Sequence, residues 1–367
     1  MSKAKGFAAV VAAGLIALGL SACGDDDDSS SDTAGASATS GKIALLLPET
    51  KTARYETQDR PLFEAKVAEL CPDCEIIYSN ADQDAAKQQS QAEAALTNGA
   101  QVLVLDPVDS AAAGAIVTQA KAKGVPVVSY DRLITEVPVD YYISFDNEKV
   151  GQLQATSLVD KLTADGNADG TIVMINGSPT DNNAKLFKAG ALSVFEKSTL
   201  TIGAQYDTPD WSPDKAQTEM DQAITKLGKN GFVGVYAAND GTAGGAIASM
   251  KGAGIDPTTR PSTGQDAELA AIQRILVGEQ YMTVYKAIKP EAEQAAQLAV
   301  DLLSGTTPSA TTTGVDNGAG EVPSILLQPV AVTKDNVNST VVADGFWTAA
   351  QICTPPYQAA CTAAGIE

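Results

Sequence analysis

From residue 42 onward the chain alternates short, unbroken apolar runs with longer stretches of helical spacing, and this alternation restricts the fold more than any other feature. Residues 43–47, 102–105, 125–130, 171–175, 233–238 and 282–284 read as strands, as does the more mixed 75–78. Residues 61–70, 83–97, 111–123, 148–162, 183–197, 214–227, 242–251, 268–277 and 291–303 carry apolar residues at helical intervals. Gly99, Gly124 and Gly252 stand where helices should stop, and Pro213 stands near a helix start. A strand that is apolar throughout must be covered on both faces, so the repetition predicts parallel sheets with helices on either side. The pattern breaks near Phe145-Asp146 and then resumes. The chain's 367 residues suffice for two domains. The expected fold is therefore α/β, with two open, Rossmann-like lobes.

Composition removes several function classes. The sequence has no histidine, which excludes Ser-His-Asp and Cys-His catalysis and any His-containing zinc site. The formal net charge is −20, whereas phosphate backbones are held by basic surfaces, so no nucleic-acid partner is expected. A P-loop is also absent: Gly35 and Gly41-Lys42 are spaced by about one residue too many, and Ile43 stands where Ser or Thr is needed.

The N-terminus reads as an export leader. Lys3 and Lys5 precede an apolar run over 7–20 that is too short to span a bilayer comfortably. Leu20-Ser21-Ala22-Cys23 resembles the bacterial lipobox, in which cleavage precedes a cysteine that is then lipidated. The expectation is a lipoprotein signal peptide over 1–22 and an acidic, Ser-rich tether over 23–41 beginning at lipidated Cys23. A lipid holds a protein on the membrane without spanning it. Asp25 to Asp28 lack the glycine turn and distal Glu of a calcium loop and read as part of a solvated linker; no metal site is expected. Four cysteines remain, in a disulfide-permissive compartment, and allow three pairings. The local pairs Cys71-Cys74 and Cys353-Cys361 are expected. Cys71-Pro72-Asp73-Cys74 could instead be a redox motif, but those place the first cysteine at a helix start, and here the helical pattern precedes it.

In open parallel sheets, ligands sit beyond the carboxyl ends of the strands. Polar residues recur there. Asp131 and Arg132 follow the strand ending at 130, and Asp181 and Asn183 lie in the loop after 175. Asn239 follows 238, Gln265 and Asp266 precede the helix at 268, and Lys286 follows 282–285. Arg54 and Tyr55 come after the first strand, and Trp211 lies in the loop past Tyr206. Taken singly, Asp181, Asn239 and Asp266 are ordinary helix N-caps, Arg132 a surface charge and Trp211 a core residue. As a set, carboxylates, amides and cations suit a neutral polyhydroxylated ligand, whose hydroxyls both donate and accept. An aromatic ring, Trp211 or Tyr55, would take the apolar C–H face of a pyranose.

Longer strings sharpen this. Tyr130-Asp131-Arg132, the run from Tyr142 to Gly151, Gly177-Ser178-Pro179 with the run from Asp181 to Phe187, Gly264-Gln265-Asp266-Ala267 and Met282-Thr283-Val284-Tyr285-Lys286 resemble the D-xylose-binding proteins, type I periplasmic sugar-binding components of ABC transporters. The resemblance runs from about residue 42 to 347. It implies two lobes joined by a three-crossing hinge and closing on a sugar. The lobes would be 42–146 with 286–316, and 147–285 with 317–347; residues 348–367, with a cysteine pair, look like an added extension. Carried over by motif, the sugar contacts are Arg54, Asp131, Arg132, Asp181, Asn183, Trp211, Asn239, Asp266 and Lys286, with Tyr55 added beside Arg54. Two stretches depart from the family pattern. The loop 48–59 is about one residue longer, and Leu105-Asp106-Pro107-Val108-Asp109 differs in sequence.

The implied function is capture of a monosaccharide, D-xylose first, for delivery to an ABC permease and its ATPase subunits. The protein would be a monomer outside the cytoplasmic membrane, without a cofactor and without enzymatic activity. Another aldose, glucose, arabinose, ribose or galactose, is the nearest alternative. An exported sugar hydrolase using Asp131 and Asp266 as paired carboxylates is a second class. A sugar-responsive repressor core is a third, but the N-terminus carries a lipobox and an acidic tether in place of a basic DNA-binding module.

Overall fold

The computed structural model describes residues 40–310 and 312–366. The leader over 1–22, Cys23 and nearly all of the 23–41 tether lie outside the described residues. In chain order the elements are β1 Ser40–Leu47, α1 Arg60–Leu70, β2 Asp73–Asn80, α2 Ala85–Thr97, β3 Val102–Leu105, α3 Gly114–Ala122, β4 Val127–Tyr130 and β5 Tyr141–Phe145. Next come α4 Asn147–Ala164, β6 Thr171–Asn176, α5 Asn182–Phe195, β7 Thr201–Asp207, α6 Pro213–Leu227, β8 Gly234–Ala237, α7 Asp240–Gly252, α8 Leu269–Val277 and β9 Met282–Tyr285. The chain ends with α9 Ile288–Leu303, β10 Thr313–Asp316, β11 Glu321–Leu327, β12 Val330–Thr333, α10 Ala349–Ile352 and α11 Gln358–Ala363.

Three sheets form. A seven-stranded sheet has the order β10-β11-β5-β4-β3-β1-β2, parallel except for β10 against β11. A three-stranded parallel sheet has the order β7-β6-β8, and β12 pairs antiparallel with β9. The apolar runs owe their continuity to two-sided burial. In β1, Ile43, Leu45 and Leu47 face one core, while Ala44 and Leu46 face the other. In β6, Ile172 and Met174 face one core, and Val173 and Ile175 the opposite one. Successive side chains of a strand point to opposite faces, so a sheet covered on both sides needs apolar residues at every position.

The chain passes three times between the body built on the large sheet and the body built on the three-stranded sheet: after β5, after β9 and after β11. The third passage corrects the expected boundary at 317. Residues 321–327 still belong to the large sheet, with Ser324 opposite Tyr142 and Leu327 opposite Phe145. β5 would otherwise be an edge with unpaired backbone groups, and β11 satisfies them.

Cys71, just past α1, is joined to Cys74 at the start of β2, with Cα atoms 5.3 Å apart. Cys353 is joined to Cys361, Cα atoms 5.8 Å apart, clamping the C-terminal turns. Residues 348–366 are no loose appendage. Ile352, Cys361 and Ile366 are buried in one core with Ile272, Ile275 and Trp347. In the second body, α4 and α5 cross where a Cβ on Gly151 would lie 1.9 Å from the Phe187 carbonyl oxygen. That contact fixes α5, whose start carries two of the expected ligand residues.

Candidate functional site

The carboxyl ends of β4, β6, β8 and β9 converge on a small polar cavity. Nine of the ten expected residues line it: Tyr55, Asp131, Arg132, Asp181, Asn183, Trp211, Asn239, Asp266 and Lys286. Thr52, Phe187 and Gln265 complete the lining. Every one of the nine is buried.

Asp131 follows β4 with φ 54° and accepts a hydrogen bond from the Tyr55 hydroxyl at 2.9 Å. Its other oxygen lies 3.4 Å from Arg54 Nη1 and 3.7 Å from Lys286 Nζ. Burial alone would raise the pKa of this carboxyl, but Arg54, Lys286 and Arg132 outweigh it and hold Asp131 ionised far below the usual range. Arg132 pairs with Asp181 at 3.1 Å and Asp106 at 3.5 Å, and donates to the Pro107 carbonyl at 3.3 Å. Burial pushes Asp181 and Asp106 upward in spite of Arg132. Lys286 is held charged by Asp131 and by Asp266, 3.2 Å away, against its own burial.

On the other side, two of the expected residues are helix caps. Asp181 caps α5 by accepting from the Asn183 N–H at 2.8 Å, and Asn239 caps α7 by accepting from the Thr242 N–H at 2.9 Å. The two residues still line the cavity, because a cap side chain at the end of a parallel strand also faces the ligand edge. Asn183 Nδ2 reaches the Asp131 carbonyl at 2.9 Å and so ties the two walls together. Asp266 caps nothing; it has φ 93°, followed by Ala267 at φ 48°.

Trp211 has φ 52° and donates its indole N–H to Asp181 at 3.0 Å. Phe187 meets its ring edge-on, centroids 6.3 Å apart. It is a cleft residue and a core residue at once. Gly177 makes room for it: a Cβ there would sit 2.0 Å from the indole. Asp131, Asp210, Trp211, Asp266 and Ala267 all have positive φ without being glycine. Such backbone costs about 1–3 kcal/mol per residue and persists where surroundings over-determine it, as at binding sites.

Arg54 departs from the expected set. It does not line the cavity. Its guanidinium is bound by Asp59 and by Glu291 of α9 at 2.8 Å, with Asp131 beyond, so it supports the wall from behind. A turn of π-helix at Tyr55–Asp59 separates the two neighbours, leaving Tyr55 at the cavity and Arg54 in the interior. Phe187 and Thr52 were missed because nothing in their local sequence marks a lining residue. Gln265 carried a signal, its place before a helix, and its buried Oε1 has no hydrogen-bond partner among the described residues. A ligand hydroxyl would satisfy it. Among the described residues, no cluster of acidic or sulfur side chains is placed to hold a metal ion.

The arrangement is three carboxylates, two cations, three amides and an aromatic wall, a set whose chemistry suits a small neutral polyol better than an anion. Comparison with known proteins agrees. Residues 43–307 match the periplasmic binding protein domain family. The D-xylose-binding periplasmic protein of Escherichia coli is 40% identical over 310 residues, 83% of this chain and 90% of that one. A multiple sugar-binding periplasmic receptor of Rhizobium radiobacter is 34% identical, covering 85% of this chain and 92% of the relative. A carbohydrate transporter solute-binding protein of Chloroflexus aurantiacus, solved with D-glucose, superposes with a TM-score of 0.77 at 30% identity, over 85% of this chain and 98% of that one. The chain belongs to the type I periplasmic sugar-binding proteins, the extracytoplasmic, non-enzymatic receptors of ABC importers.

Proposed function

We propose that this protein captures D-xylose in the cavity between its two bodies and presents the closed, loaded form to an ABC permease. The observation that carries the reading is the lining itself. Asp131, Asp181 and Asp266 accept, Arg132 and Lys286 donate, and Asn183, Asn239 and Gln265 do both. Trp211 and Phe187 offer apolar surface to a sugar's C–H face. The 40% identity to a D-xylose-binding protein supports xylose over the other aldoses.

Closure is a two-state shift about the three chain passages, with the sugar binding the closed state more tightly. The permease reads that state. Cys23, beyond the described residues, carries a lipid that keeps the receptor at the outer face of the membrane; the run Leu20-Ser21-Ala22-Cys23 supports this. Cys23→Ala is expected to move the protein from the membrane fraction to the soluble fraction with sugar affinity unchanged.

A second reading, a broader aldose receptor, is favoured by the glucose-bound structure at TM-score 0.77. Isothermal titration of the full chain with D-xylose, D-glucose, L-arabinose, D-ribose and D-galactose separates the two. One-to-one binding of xylose, at least tenfold tighter than the rest, supports a dedicated receptor. Equal affinity for glucose supports the broader one, and no binding of any sugar rejects both.

A further inference from the structure

Asp266 presents its carboxylate to the cavity from backbone that an aspartate rarely adopts, at φ 93°, and Ala267 follows at φ 48°. Something must hold this turn. The Asp266 N–H donates to the Val284 carbonyl at 2.9 Å, and the Ala267 N–H to Thr283 Oγ1 at 3.2 Å, both on β9. The next peptide unit is clamped at both ends. The Glu268 N–H donates to Asp240 Oδ2 at 2.9 Å, and the Ala267 carbonyl accepts the indole N–H of Trp347 at 2.8 Å. Trp347 does not line the cavity. It reaches this carbonyl from the segment beyond β12, 80 residues along the chain.

Trp347 is itself held. Phe346 stacks edge-on against it at 5.5 Å, and Tyr285, the neighbour of Lys286, stacks on Phe346 at 5.2 Å. The Phe346 carbonyl accepts from Gln58, in the turn that carries Tyr55. Behind it, Gln273 of α8 donates to the Ile352 carbonyl at 3.1 Å, and the Cys353–Cys361 disulfide closes the tail over the same core. We propose that Trp347, backed by the disulfide-closed C-terminal tail, is a positioning residue for sugar binding: its indole N–H fixes the Ala267–Glu268 peptide and thereby aims Asp266 into the cavity. The proposal rests on the reading of Asp266 as a sugar contact.

Without the indole N–H, the peptide is held at one end only and the turn relaxes toward ordinary backbone, taking the Asp266 carboxylate with it. Trp347→Phe removes the N–H and keeps an aromatic ring. The test is a double-mutant cycle on the full chain, with D-xylose and D-glucose as titrants and Asp266→Asn as the second change. Trp347→Phe alone is expected to lower affinity about 3- to 10-fold, the worth of one hydrogen bond, chiefly by faster dissociation. In the Asp266→Asn background the same change is expected to alter affinity by less than about twofold. A purely structural role would lower affinity equally in both backgrounds, and that result overturns the proposal. So does full affinity in Trp347→Phe when Asp266→Asn alone has lost binding. Unchanged affinity in Asp266→Asn alone rejects the binding role of Asp266 itself, and the proposal with it. If Trp347→Phe fails to fold, replacing Cys353 and Cys361 by Ser tests the same clamp. A loss of affinity with Asp266 intact that disappears in the Asp266→Asn background supports the proposal; an equal loss in both backgrounds, or none in either, overturns it.

Discussion

On the large-sheet side of the cavity, Asp131 and Arg132 sit in a web of buried charge: Arg54, Asp59, Glu291, Asp106 and Glu49. On the other side, Asp181 and Asn239 are held by helix caps, Asp266 by a clamped turn and Trp211 by packing against Phe187 and Gly177. The first wall is organised by ion pairs whose partners are useless without one another. The second is organised chiefly by backbone, although Asp181 also pairs with Arg132 and Asp266 with Lys286, so Asn239 and Trp211 can be changed with less damage to buried charge. Preorganisation of a polar site can thus come from charge or from chain geometry, and the two should fail differently when mutated.

The largest difference is expected at Arg54. Arg54→Met leaves Asp59 and Glu291 buried and unpaired, which costs about 3–5 kcal/mol of folding stability. Urea unfolding should show that loss. A variant as stable as wild type would mean the web is not holding the wall.

Acid and base probe the site through Asp131 and Asp240, which shift in opposite directions. Asp131 is held low, so its contribution is present above the unfolded value of about 4 and is lost as pH falls below it. Asp240, behind the second wall, is pushed up to about 7 by burial, with Arg274 opposing and Asp266 reinforcing. Its folded form binds a proton that the unfolded chain releases, so stability falls as pH rises from about 4 to about 7 and then levels. Asp240→Asn should make that falling limb shallower in unfolding experiments from about pH 4 to about pH 8; an unchanged slope would place the titration elsewhere.

Within the second wall, Gly177→Ala forces the Trp211 ring to move, since the new Cβ would overlap it. Overpacking of this kind costs about 1–3 kcal/mol, read here as a loss of xylose affinity of about fivefold or more. Affinity equal to wild type would mean that the indole does not touch sugar. The smallest effect on folding is expected at Asn239. Asn239→Ala should lose about 1 kcal/mol of stability with the cap, while Asn239→Asp keeps the cap and the stability. Both should weaken sugar binding, which separates the cap from the contact.

The same contrast explains what the sequence could reveal. Strand-end residues followed by helix starts, such as Asp181 and Asn239, were legible because local pattern places them at the ligand edge of a parallel sheet. Arg54 was not. Whether a guanidinium meets sugar or protein depends on carboxylates elsewhere, and Glu291 lies 237 residues away. Phe187 sits on an ordinary helical face, and only the fold turns that face toward Trp211. Residues 321–327, with Glu321, Pro323 and Ser324, carry no clear strand pattern, and nothing local shows that their partner is β5. Local chemistry is written in neighbouring residues, whereas buried pairing depends on which distant segments the fold brings together.

The most direct test of the two-walled receptor is a crystal structure of the protein with D-xylose. The account predicts one sugar in the cavity, its hydroxyls bonded to Asp131 and Arg132 on one side and to Asp181, Asn239 and Asp266 on the other, with its C–H face on Trp211 and Arg54 out of contact. A sugar bound elsewhere, or held by one wall alone, would contradict it.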